Sequence, residues 1–142
     1  MIKQISVFVE NKKGRLAKIT DVLGQAGIDL VALSIADTTN FGIMRCIVSD
    51  SDKALDVLKQ NGFTANTTDV IVLEVVDKPG GLASVLRILD DADISVEYLY
   101  SFVRTPNKNA LILFRVENIE KAIDVLGDGG VKLLDSQEVF NI

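Results

Sequence analysis

The chain has 142 residues, 48% hydrophobic and 25% charged, with a formal net charge of −5 and no histidine. The balance is that of a globular protein, and the missing histidine excludes Ser-His-Asp and Cys-His nucleophile systems, histidine general bases and HExxH zinc sites. The single cysteine, Cys46, excludes disulfide frameworks and clustered-cysteine zinc sites.

In chain order, the first β-rich run is Ile5–Val9. Leu16, Ile19, Leu23 and Ala26 follow at helical spacing. Ile28–Ala36 and Ile43–Val48 read as a strand hairpin, Asp52–Asn61 as a second helix closed by Gly62, and Phe63–Thr67 as a last strand. The series then repeats: strand Ile71–Val75, helix Leu82–Ala92, strands Ile94–Val103 and Leu111–Val116, helix Ile119–Leu126 closed by Gly127 or Gly129, and a final strand over Val131–Phe140. The repeat is visible residue by residue. Asn11-Lys-Lys-Gly-Arg-Leu-Ala matches Asp77-Lys-Pro-Gly-Gly-Leu-Ala at an offset of 66, and Lys53-Ala-Leu-Asp-Val-Leu matches Lys121-Ala-Ile-Asp-Val-Leu at an offset of 68. The two-residue change falls between Asp37–Phe41 and Val103–Asn109, where a hairpin loop absorbs an insertion. Each copy thus reads β-α-β-β-α-β, the ferredoxin-like unit with both helices on one face of an antiparallel sheet. The expected fold class is α+β, with modules at 1–68 and 69–142.

The segment with site-like chemistry in both copies is the turn before the first helix. Glycines there admit close backbone approach. Free N–H groups at a helix start favour an anion such as a carboxylate. Asn11 or Asp77 adds an oxygen acceptor for an ammonium. Donors beside an acceptor suit the head group of an α-amino acid, and such binding needs no proton transfer. The competing reading is that Asn11 and Asp77 are ordinary helix caps and Pro-Gly an ordinary turn.

Asp77-Lys-Pro-Gly-Gly-Leu-Ala, followed by a helix and then Ala92-Asp-Ile-Ser-Val at a strand start, resembles the ACT domain family. These are small βαββαβ regulatory modules that bind amino acids, and the resemblance covers essentially the whole chain as two copies. It implies ligands held between paired modules by the turn and by the start of the second strand. Carried over, the ligand-binding residues are Asn11, Lys13, Gly14, Arg15, Leu16, Ile28, Asp29 and Leu30 in copy 1. In copy 2 they are Asp77, Pro79, Gly80, Gly81, Leu82, Ile94, Ser95 and Val96. Copy 1 departs from the pattern, with Lys13 in place of proline and Arg15 after the glycine, which argues against two equal sites. The resemblance also implies side-by-side pairing of modules and a homodimer.

Tyr98, Tyr100 and Phe102 fall at period two in copy 2, where copy 1 has Ala32, Ser34 and Ala36. Such a stripe lines a ligand pocket or, more commonly, a core or interface. Cys46 reads as a buried, inert thiol. Asp90, Asp91 and Asp93 form an acidic group at a helix end that reads as a solvated turn, and Arg87, Arg104 and Arg115 have no partner evident from sequence. Basic residues nowhere cluster into a nucleic-acid face, and the apolar stretches are strand-sized, so neither nucleic acid nor a membrane is an expected partner. The expectation is a cytoplasmic regulatory protein without catalytic residues, metal or cofactor. Its effector is a free amino acid and its target a separate enzyme or transcription factor. The alternatives are a ligand-free interaction or dimerisation module and, less well supported, a small ferredoxin-like enzyme.

Overall fold

Apolar positions at helical spacing and alternating positions in the strands decide where this chain packs. The computed structural model describes residues 1–37 and 41–142, so part of the expected insertion point at 37–41 lies outside the described residues. The chain divides into two units, Lys3–Thr68 and Asp69–Ile142, with Met1–Ile2 belonging to the second.

The first unit contains β1 (Ile2–Glu10), α1 (Arg15–Gln25), β2 (Leu30–Asp37), β3 (Phe41–Val48) and α2 (Ser51–Gln60). Strand β3 is antiparallel to both neighbours, with Cys46 opposite Ile5 on one side and Leu33 on the other. Alternate residues Ile5, Val7 and Val9 turn toward the helices and meet Ile19 and Leu23 of α1 and Ala54 and Leu58 of α2. Cys46 is part of this core, and burial pushes its thiol up to about 12, so it is held neutral and unreactive.

One strand, β4 (Ala65–Val75), occupies the stretch where two strands were expected. The second unit continues with α3 (Gly81–Asp91), β5 (Val96–Ser101), β6 (Ala110–Val116), α4 (Ile119–Asp128), β7 (Lys132–Leu133) and α5 (Ser136–Phe140). Phe114 of β6 is opposite Ile71 of β4 and Leu99 of β5. Ile71, Leu73 and Val75 pack with Val85 and Leu89 of α3 and Ala122 and Leu126 of α4. The result is α+β, ferredoxin-like, with helices on one sheet face. The expected final strand, 131–140, is only two residues long. Asp135 accepts from the Glu138 N–H and Glu138 reaches back to the Asp135 N–H. This capping box starts a helix instead.

Helix ends follow one rule. Among the described residues, the residue after the C-cap is left-handed in each of the four long helices: Gly27 at φ 73°, Gly62 at φ 83°, Asp93 at φ 58° and Gly130 at φ 80°. Gly129, one of the two glycines expected to close α4, is its C-cap, and Gly130 after it is the left-handed residue. The following N–H returns to a carbonyl five residues back, as in Ile28 to Leu23 and Ile94 to Leu89, both at 2.9 Å, which is the Schellman closure.

The loop after β5, which the repeat shows to be the longer one, is tied to β4. Glu74 accepts from Asn107 Nδ2 at 2.6 Å and Asn109 Nδ2 at 3.0 Å, with Lys132 Nζ at 3.8 Å. The hydrogen bond from Asn107, then that from Asn109, holds the Glu74 carboxyl below its usual range. A depressed carboxylate stabilises the fold above the unfolded-state pKa, and the contribution fades as pH falls through the lower folded value. Glu74→Gln is therefore expected to flatten the acid limb of the stability-against-pH curve, measured by urea unfolding between pH 3 and 7. An unchanged acid limb would contradict the tie.

Candidate functional site

The two turns share a backbone and differ in their side chains. Gly14 at φ 87° and Gly80 at φ 86° are the N-caps of α1 and α3, and neither helix has a side-chain cap. Asn11 and Asp77 are therefore not the ordinary helix caps of the competing reading. Side-chain capping occurs instead at α2, where Asp50 accepts from the Lys53 N–H, and at α4, where Asn118 accepts from the Lys121 N–H. Among the described residues, the exposed Asn11 and Asp77 side chains have no hydrogen-bond or ion-pair partner.

Part of each turn's donor supply is spent internally. Lys12 N donates to Glu10 O and Arg15 N to Lys12 O; in the second copy Lys78 N donates to Val76 O and Gly81 N to Lys78 O. Gly81 also serves its own chain. A β-carbon there would collide with the Val76 carbonyl oxygen, whereas one on Gly80 would meet nothing within 4 Å. Gly81 is thus needed for close backbone approach, and Gly80 for its left-handed φ.

In copy 1 two of the turn's three cations are already occupied. Glu10 pairs with Lys12 Nζ at 3.0 Å and Arg15 Nη2 at 3.3 Å. These partners, the Lys12 hydrogen bond foremost, hold the Glu10 carboxyl below its usual range. The Arg15 guanidinium also sits 5.9 Å from the Phe63 ring centre, within cation–π reach. Lys13 is exposed, and Leu16 is 40% exposed. A cavity of about 130 Å³ at this turn is lined by Phe8, Glu10, Arg15, Phe41 and Phe63 among others.

The strand starts are also partly self-satisfied. Asp29 N donates to Ser49 Oγ at 3.1 Å, and Ser95 N to Glu117 Oε1 at 3.4 Å. Ile28 and Ile94 lie just before their strands and are core residues. Leu30, Leu82 and Val96 are half-buried against the same cores. Pro79 is exposed.

In the second unit the strand start opens onto a groove of about 570 Å³, within the size range of small-molecule sites. Ile94, Ser95 and Val96 line it together with Arg87, Asp90 and Asp93. None of Asp77, Pro79, Gly80, Gly81 and Leu82 lines it, so the turn and the strand start do not share this groove. The charged residues of this groove that the sequence did not single out as a candidate site are Arg87, Asp90 and Asp93. Their spacing of three along α3 and its C-terminus was the available signal, since such neighbours share a helix face. A groove in the first unit, about 550 Å³, is lined by Ala17, Lys18, Asp21, Val22, Gln25 and Asn61 and includes no residue of that strand start.

The aromatic stripe is shorter than its period implied. Tyr98 and Tyr100 lie opposite Arg115 and Leu113, with ring centres 6.5 Å apart. Phe102 is beyond β5 and buried. Arg115 has partners that sequence did not reveal: Glu97 Oε2 at 3.1 Å and the Asp69 carbonyl at 3.1 Å. Among the described residues, no His/Cys/Asp/Glu side chains group as a metal site.

Comparison with known proteins gives a consistent picture of the family. The model of an ACT domain pair matches residues 1–142. Protein BT0572 of Bacteroides thetaiotaomicron is 43% identical, with a TM-score of 0.92, covering 99% of this chain and 96% of that one. The ligand-free regulatory subunit of aspartate kinase from Thermus thermophilus is 17% identical with a TM-score of 0.67, over 89% of this chain and 91% of that one, a likeness of fold. A probable translation initiation factor IF-2 of Methanobrevibacter smithii is 22% identical over 94% of this chain, and the chain spans a quarter of that protein's length.

Gly81→Ala is expected to destabilise the protein by about 1–3 kcal/mol through the forced backbone shift. Gly80→Ala is expected to cost about 1–2 kcal/mol through its left-handed φ alone. Urea unfolding measures both, and a Gly81→Ala variant as stable as the parent would contradict the close-approach role.

Proposed function

The chain belongs to the ACT domain pair family, and on that premise we propose that it is a regulatory protein that senses a free α-amino acid. Binding alters its association with a regulated enzyme or transcription factor outside these 142 residues, and no chemical step takes place on the chain. The groove of the second unit carries this reading. It has the volume for a free amino acid, and it brings the strand start expected to touch ligand together with a guanidinium and two carboxylates. A zwitterion needs groups of both signs, and none of these has to change protonation state. Asp77, exposed and unpartnered beside the α3 N-terminus, is a second acceptor for an ammonium. The equivalent turn of the first unit is the poorer candidate, because Glu10 already holds Lys12 and Arg15.

The Thermus thermophilus neighbour is by name a regulatory subunit of aspartate kinase, and a regulatory role with catalysis elsewhere is what is proposed for this chain. No described helix is long and apolar enough to cross a membrane, and the proposed site of action is the cytoplasm. A homodimer is part of the proposal. Leu33 and Ile35 of β2 are 39% and 46% exposed, and β2 is the outer strand of its unit's β2-β3-β1 order. Such an apolar edge favours association. The same feature is what favours the alternative of a ligand-free dimerisation module.

Thermal-shift screening of the twenty amino acids separates the two readings. At least one is expected to stabilise the protein, by about 2.7 kcal/mol at 100 times its dissociation constant. No response to any of the twenty would leave the dimerisation module as the better account.

A further inference from the structure

The three charged groups of the second unit's groove have no matching set in the first unit. At the 66-residue offset, Arg87, Asp90 and Asp93 correspond to Asp21, Gly24 and Gly27. The first unit therefore builds the same helix and the same strand start with one charged group at these positions. That group, Asp21, accepts from Gln25 Nε2 at 3.1 Å. The second unit has one guanidinium and two carboxylates, all exposed and lining the groove. Among the described residues none of the three side chains has a hydrogen-bond or ion-pair partner. Asp93 also stands where the other three long helices use glycine, and it is the only non-glycine residue with positive φ among those described. An aspartate tolerates this conformation, but glycine adopts it freely. Helix closure thus does not explain its side chain.

Resting on the reading of this groove as an amino-acid site, we propose that it selects an α-amino acid with a basic side chain. Arg87 takes the carboxylate, since a guanidinium forms paired hydrogen bonds with it. Asp90 and Asp93 take the two cationic groups. The charge count decides the class: one positive and two negative groups match a ligand with one negative and two positive charges. A neutral amino acid leaves one aspartate unpaired, and an acidic one adds repulsion. Leu86 and Ala83 supply apolar surface for the methylene chain.

Isothermal titration of the full chain with lysine, ornithine, arginine, alanine and glutamate tests this. A basic amino acid is expected to bind at least tenfold tighter than alanine, and glutamate weakest. Arg87→Gln and Asp93→Asn are each expected to weaken the basic ligand tenfold or more, while Asp21→Asn leaves it unchanged. Asp93→Gly is expected to raise the unfolding midpoint while losing affinity, an opposition that general damage to the fold would not produce. Tightest binding of alanine or glutamate overturns the selectivity and leaves amino-acid sensing intact. So does a basic ligand that is lost in Asp77→Ala yet retained in Arg87→Gln and Asp93→Asn. Absence of binding by any of the five, with none of the twenty stabilising the fold, overturns both.

Discussion

A left-handed residue after each long helix is the constraint on which both units depend. It reverses the chain within one residue and lets the next apolar residue drop into the core. Ile28 and Ile94 are so placed, each donating to the carbonyl of a core leucine, Leu23 or Leu89. The same reversal fixes where the following strand begins, and so where Ser95 and Val96 lie. Three of the four positions are glycine. The fourth, Asp93, accepts a conformational cost of about 1 kcal/mol and puts a carboxylate on the rim of the groove. A scaffold requirement and a proposed binding group coincide at one residue.

The two units repeat one scaffold and differ in their surfaces. In the first unit the turn before α1 is closed by its own charges, with Glu10 holding Lys12 and Arg15, and Arg15 over Phe63. The second unit has Val76 and Gly81 at the positions of Glu10 and Arg15, so no ion pair forms there, and the missing side chain lets the turn press against the strand end. Charge appears instead farther along α3. The acidic excess of residues 69–142, 13 acidic against 7 basic groups, is thus partly concentrated beside a groove.

Much of the fold was legible because it is local and periodic. The repeat placed four helices, and alternation placed the strand pairs, since both signals come from burial of one face. The turn Asp135–Glu138 was legible too, as a capping box, but the β-rich appearance of Val131–Phe140 masked it. The merging of two expected strands into β4 could not be read, since no turn residue pattern distinguishes a continuous strand from two adjacent ones. The roles of the glycines were half visible. Gly80 follows from its turn, but the collision that reserves position 81 depends on where the Val76 carbonyl lies.

The groove was the least legible feature. Asp90 and Asp93 read as a solvated turn at a helix end, and Arg87 as an arginine with no partner evident from sequence. Only the packing of α3 beside the start of β5 makes them neighbours of Ser95. The direct test of this assignment is a titration of isotopically labelled protein with lysine, followed by amide chemical shifts. The account predicts saturable shifts at Arg87, Asp90 and Asp93–Val96, with residues 11–16 unmoved. Shifts confined to residues 11–16 or 77–82 would contradict it.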